Sequence, residues 1–355
     1  MSRRAWILAA SVALGCATLI AGPRLVDAQT PTSTPTPPAT SAQSTTVAGR
    51  VTSGTAGETA PDGLTVRLIA LEGSQVTTAA QGTTKNGAYE LSVPTTPGRT
   101  YVPHLTYQTV DYFGEPVAAA ATPAKVQRDF VVYATTHDAP ALAITSTSVT
   151  LVAIDRQAHQ LGFVREDAIA NPTDRVYLGD ASGVTLHLPA PDGTLQAGGE
   201  GAADTFRFER GVVSVSLPIR PGAITTVVTR YLVGYDPGAD TYRLRVTAPL
   251  PADQTKIRVP AGYARIRAAG GTSNAPDEQA TGGATGEVLK VAQSTAGTKP
   301  GGAVLVDLVG LSGQLQSNPL TERSGAIAGA VAAFLILGGG VLASVRWRTR
   351  GVRAG

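Results

Sequence analysis

Gly87-Ala88-Tyr89-Glu90-Leu91-Ser92-Val93 puts Tyr89, Leu91 and Val93 on one face of an extended chain and Ala88, Glu90 and Ser92 on the other. Lys85-Asn86-Gly87 leads into it as a turn. The same period of two recurs in Thr65-Val66-Arg67-Leu68-Ile69-Ala70-Leu71, where Val66 and Leu68 share a face. It returns where Val184, Leu186 and Leu188 alternate with Thr185 and His187. Outside the two ends no long 3.6-residue pattern competes with it, so the alternation predicts an all-β body.

Outward from these stretches, Val47–Thr52, Leu64–Leu71, Ala88–Val93, Tyr101–Tyr107 and Arg128–Tyr133 read as strands of a first sandwich over residues 47–134. Short strands separated by Asn171-Pro172-Thr173-Asp174, Pro191-Asp192-Gly193 and Asp236-Pro237-Gly238 turns predict a second sandwich over 141–261. Residues 262–322 read as a juxtamembrane β-rich segment with a Gly/Thr/Ala loop from Gly270 to Gly286. The expected fold class is all-β: two β-sandwich modules, or three if 262–322 stands alone, plus one C-terminal transmembrane helix.

The first module resembles the carboxypeptidase regulatory-like (transthyretin-like) β-sandwich. The likeness rests on Val47-Ala48-Gly49-Arg50-Val51, Val66-Arg67-Leu68, Thr84, Gly87 to Val93 and Gly98-Arg99-Thr100-Tyr101. It covers about a quarter of the chain. The resemblance implies a seven-stranded Greek-key sandwich that accompanies other domains and is not itself catalytic. The zinc peptidase domain that sometimes goes with it needs His and Glu ligands in a fixed frame. The four His of this chain, His104, His137, His159 and His187, form no H-x-x-E or H-E-x-x-H.

The two ends predict a location. Residues 1–28 read as a secretory signal: Arg3 and Arg4, an apolar core from Ala5 to Gly22, and Val26-Asp27-Ala28 as a small-x-small cleavage site. Ser2 to Ile7 fits general export and also resembles the twin-arginine pattern. Residues 29–46, nearly all Thr, Pro, Ser, Ala and Gln, predict an extended linker. Gly325–Val345 is a 21-residue run without charge, about 31 Å long as a helix, which matches a bilayer's hydrocarbon thickness. Arg346, Arg348, Arg350 and Arg353 follow it and predict a cytoplasmic tail over 346–355. Within the run, Gly325 and Gly329 have the small-xxx-small spacing of a helix-packing face.

Composition narrows the function classes. Of 355 residues 43% are hydrophobic and 15% charged, with 40 Gly, 24 Pro and 1 Cys. That balance fits neither a collagen, a coiled coil, a disulfide scaffold nor a polytopic membrane protein. The net charge of +3 comes from the arginines at the two ends, and the stretch between them is slightly acidic without a basic run. Nucleic acid, which needs clustered Lys and Arg, is excluded as a partner on this reading. Cys16 lies in the signal, so the mature chain would carry no thiol or disulfide. Arg far exceeds Lys, and Ala and Gly abound, which points to a GC-rich bacterial source.

The search for chemistry yields one candidate binding surface: Tyr101, Tyr107, Tyr112 and Phe113, beside Asp111 and Glu115, an arrangement suited to stacking on a sugar or anchoring a partner. The competing reading puts Tyr101 and Tyr107 in the core. Asp180, Asp192, Asp204, Asp236 and Asp240 lack a D-x-D-x-D-G frame and read as turn formers. Gly310-Leu311-Ser312-Gly313 is not a nucleophile elbow, and Glu166-Asp167 on a strand point to opposite faces. No catalytic, cofactor or metal constellation emerges. The expectation is a non-enzymatic, membrane-anchored protein with a binding, adhesion or structural role at a bacterial envelope, its partner an envelope protein or polysaccharide. An accessory subunit of a membrane complex and a hydrolase built from loop carboxylates are the alternatives.

Overall fold

The computed structural model describes residues 44–312, apart from 73–74, 95–97, 119–123, 203 and 281–286. The expected signal, most of the linker, the transmembrane run with Gly325 and Gly329, and the tail lie outside the described residues. Among the described residues no helix is long and apolar enough to cross a membrane. They are all-β, with two hydrophobic cores.

The first body is built from β1 (Ser44–Ser53), β2 (Thr65–Glu72), β3 (Gln75–Thr83), β4 (Ala88–Pro94), β5 (Thr100–Tyr107), β6 (Val110–Phe113), β7 (Val117–Ala118), β8 (Ala124–Gln127) and β9 (Phe130–Val132). One sheet runs β4-β1-β8, with β9 also on β1, and the other β3-β2-β5-β6, with β7 also on β5. β6 and β7 pair with opposite ends of β5, and β8 and β9 pair in parallel with successive halves of β1. Each couple is one interrupted lane, so nine segments fill seven lanes. Between the sheets lie Val47, Val66, Leu68, Tyr89, Leu91, Val93 and Tyr101, the alternating residues that predicted the strands.

The break between β8 and β9 has a steric cause. A Cβ on Gly49 would lie 1.8 Å from the Arg128 carbonyl oxygen, so this approach requires glycine. Asp129 then turns its carboxylate back, and its Oδ1 accepts from the Arg50 amide at 2.8 Å. The Tyr89 hydroxyl donates to the Arg128 carbonyl at 2.5 Å. Donors and acceptors left over by the interruption are thus used.

The link between bodies is a two-residue parallel ladder of β10 (Thr135–Thr136) and β13 (Val176–Tyr177). The second body's large sheet contains β11 (Ala143–Asp155), β12 (Gln160–Ala170), β15 (Thr194–Gly199), β18 (Thr225–Gly234), β20 (Thr255–Pro260), β22 (Thr272–Gln279) and β23 (Val288–Ser294), in the order β15-β18-β12-β11-β20-β23-β22. Two three-stranded sheets complete the body. One has β14 (Leu186–Pro189), β16 (Phe206–Glu209) and β17 (Val212–Val215) in the order β14-β17-β16. The other has β19 (Thr241–Thr247), β21 (Arg265–Ala268) and β24 (Ala303–Val309) in the order β19-β24-β21.

A single core from Leu142 to Leu311 takes in Val304, Val306 and Leu308 of β24. Ala264, Ala292, Val304, Val306, Leu308 and Leu311, all beyond residue 261, are therefore packed into the second body. The expected Gly/Thr/Ala loop at 270–286 contains β22, an edge strand whose ladder slips between Ala275 and Glu278 to accommodate Pro276.

The second core contains an ion pair. Arg165 and Asp167, 3% and 0% exposed, alternate on the inner face of β12. Arg165 Nε and Nη2 donate to the two Asp167 oxygens at 2.7 and 3.1 Å, and Thr147 Oγ1 donates to Oδ1 at 2.7 Å. Arg165 Nη1 reaches the Thr247 carbonyl of β19 at 3.1 Å, which ties the two layers together. Burial pushes the neighbouring Tyr231 hydroxyl up to about 12 against the opposing pull of Arg165. Glu166 is partly exposed while Asp167 is buried, so this sequence pair does not meet.

Candidate functional site

The predicted aromatics sit on the β5–β6 hairpin, and strand alternation divides them. Tyr101 and Tyr112 face the first core, where the Tyr101 hydroxyl donates to the Pro94 carbonyl at 3.0 Å. Tyr107 is partly buried at the tip, and Phe113 is 54% exposed on the outer face. The four rings therefore do not form one surface. What the outer face does bring together is His104, Thr106, Asp111 and Phe113. Paired across the ladder, Phe113 packs on His104 with centroids 4.8 Å apart. Asp111 Oδ1 accepts from His104 Nε2 at 3.0 Å and from Thr106 Oγ1 at 2.7 Å. Burial pushes the Asp111 carboxyl up, but these hydrogen bonds and the charge of Arg220 outweigh it and hold it below the usual carboxylate range.

The hairpin tip is strained. Gln108 and Thr109 both have left-handed backbones, with φ of 46° and 69°. A two-residue turn of this kind favours Asn-Gly, and a β-branched residue there is an outlier. Contacts across the joint hold it: Gln108 Oε1 accepts from the Thr135 amide at 2.8 Å and from its hydroxyl at 3.2 Å. The Tyr107 hydroxyl accepts from Gln108 Nε2 at 3.2 Å. The tip borders an open cleft of about 560 Å³ between the bodies, lined also by Thr135, His137, Leu178, Ser216 and Pro218. His137 Nδ1 lies 2.9 Å from the Gly179 carbonyl. A carbonyl accepts only, so Nδ1 carries a proton.

From the second body, Arg220 lies over the Tyr112 ring at 4.7 Å and donates to the Asp111 carbonyl. Burial lowers its pKa from the ordinary arginine value. Thr55 Oγ1 donates to the Asp174 carbonyl at 2.8 Å and accepts from the Ala134 amide at 2.9 Å. Asp174 Oδ2 takes the Ala56 amide at 2.8 Å, and Arg175 pairs with Glu58 at 2.7 Å. Sequence reading missed Arg220, Gln108 and His137. A lone Arg before Pro221 carries no signal, and a hairpin turn without Gly or Asn hides its own existence.

Three of the turn aspartates hold nearby backbone or hydroxyl groups. Asp180 accepts from the Ser182 amide at 2.8 Å and hydroxyl at 2.6 Å, Asp236 accepts from the Gly238 amide at 2.9 Å, and Asp240 accepts from the Ser312 amide at 3.1 Å. Among the described residues no three His, Cys, Asp or Glu side chains gather as a metal would need.

No family model matches the chain, and no curated protein does. Among solved structures, an M1 zinc metallopeptidase from Deinococcus radiodurans aligns at a TM-score of 0.31 and 11% identity over 48% of this chain and 42% of that one. The alignment thus spans less than half of the peptidase. The major pilins SpaD and SpaA of Corynebacterium diphtheriae align at TM-scores of 0.20 and 0.18 and identities of 10% and 11%. These alignments cover 74% and 76% of this chain, and 81% and 84% of the pilins. Scores of this size support no transfer of role.

Proposed function

We propose that the chain is a non-catalytic bacterial envelope protein that displays two joined β bodies outside the membrane on a single C-terminal anchor. Its first body is carboxypeptidase regulatory-like. The observation that carries the reading is the order along the chain: an exportable apolar start, a cysteine-free all-β body, then 21 uncharged residues closed by arginines. The polar joint supports it as well, because a displayed surface is useful when its parts keep a fixed relation. The outer face of the β5–β6 hairpin and the cleft beside it present Phe113, Asp111 and His137 for contact with an envelope polysaccharide or protein.

Fractionation of cells making the full chain tests this. The expected result is a polypeptide that stays in the membrane pellet through an alkaline carbonate wash. Protease added to intact cells should remove an epitope within residues 44–312 and spare one in the tail. A soluble chain, or a tail cut before the body, refutes the reading.

A further inference from the structure

The outer face of the sheet β19-β24-β21 concentrates positive charge on a body that, over residues 135–312, carries more acidic than basic side chains. Tyr242, Leu244 and Val246 of β19 point inward, which leaves Arg243 and Arg245 outward, and on β21 Arg265 and Arg267 are exposed. Register aligns Arg243 and Arg267 with Asp307 of the central strand, Arg245 with Leu305 and Arg265 with Val309. Four arginines therefore stand in rows about 7 Å apart along the strands and about 10 Å apart across β24.

Asp307 organises this face. Arg243 donates to its two oxygens at 2.8 and 3.2 Å, and Arg267 to Oδ2 at 2.9 Å. The Asp307 side chain is 4% exposed beneath arginine side chains that are themselves 63% and 68% exposed. One charge is neutralised and two forks are held outward with donors to spare. Arg245 and Arg265 form no salt bridge among the described residues. Asp240, at the corner nearest Arg265, spends its carboxylate on Ser312. Leu305 and Val309 lie between the arginines, so the face is cationic and partly apolar.

Its place in the chain selects the ligand. β24 is the last described strand, and the uncharged run begins thirteen residues after Ser312, a tether of at most about 47 Å. We propose that this arginine face docks on the anionic phospholipid headgroups of the bilayer into which residues 325–345 insert, and so lays the second body against the membrane. The inference rests on the anchoring reading. Charge complementarity and the nearness of the proposed span along the chain favour a lipid surface over a polymer chain.

The test is arginine footprinting of the full chain with a dicarbonyl reagent, read residue by residue by mass spectrometry. The chain is reconstituted in phosphatidylcholine vesicles with or without phosphatidylglycerol. Modification of Arg245 and Arg265 should slow about fivefold in the anionic vesicles alone and recover in high salt, while exposed Arg207 is unchanged. In the double variant R245E/R265E the protection of Arg243 and Arg267 should be lost. Equal modification in both vesicle types overturns the proposal. So does protection by a soluble polyanion such as polyphosphate without protection by anionic vesicles. A carbonate wash of the same vesicles separates the two readings: an anchored but unprotected chain refutes docking alone, and a washed-off chain refutes the anchor.

Discussion

Val176 and Tyr177 are neighbours in sequence and belong to different cores: Val176 is packed with the first body and Tyr177 with the second. Strand alternation sends consecutive side chains to opposite sides, and here the two sides are two domains. The joint is therefore a continuation of both interiors. Calorimetry of the full chain should show one transition for both bodies, and Val176→Asp should split it into two. Two transitions in the unmodified chain would mean that the joint does not couple them.

The strained tip offers a second measurement. Thr109→Gly removes the Cβ clash of a left-handed backbone while leaving Gln108 to bridge to Thr135. It should stabilise the chain by about 1 kcal/mol, read as a higher urea midpoint at constant slope.

For the buried pair, Arg165→Ala should cost about 3–5 kcal/mol, because Asp167 is left buried without its partner. The double variant Arg165→Met, Asp167→Leu should cost clearly less. Equal losses would place the effect in packing and not in the stranded Asp167.

Acid should weaken the β19-β24-β21 sheet. The hydrogen bonds of Arg243, with those of Arg267 behind them, outweigh burial and hold the Asp307 carboxyl below its ordinary value. A carboxyl lowered in the folded state stabilises above the unfolded pKa of about 4, and this contribution is lost as pH falls through the folded value. Melting midpoints followed downward from about pH 5 should thus fall less steeply in Asp307→Asn than in the unmodified chain.

Much of the architecture was legible in strands that bury one face, since Tyr89, Leu91 and Val93 or Leu186 and Leu188 record the core directly. β3 and β22 were not, for a physical reason. Both are edge strands with little burial on either face, so Gln75–Thr83 and Thr272–Gln279 needed no apolar alternation to form. The candidate surface was legible as a cluster of rings but not as an arrangement: the turn at Gln108-Thr109 carried no signal, and Arg220 and the cleft depend on long-range packing. The arginine face had no signature as a run, because register alone unites residues 243–245 with 265–267.

A glycine substitution tests the β8–β9 interruption. Gly49→Ala should cost about 1–3 kcal/mol by forcing the Arg128 carbonyl aside. Gly198→Ala, which meets nothing within 4 Å and needs no left-handed backbone, should leave the urea midpoint nearly unchanged.

That crowded glycine also polices alignment. A one-residue slide of β1 would turn its apolar side chains to the wrong face, but a two-residue slide would keep them inward and is the misfold that hydrophobicity tolerates. Such a slide would bring Val47 or Val51 beneath the Arg128 carbonyl, where not even a methyl group fits. The notch thus works as a key that admits one registration and rejects the near-miss that greasy patterning cannot detect.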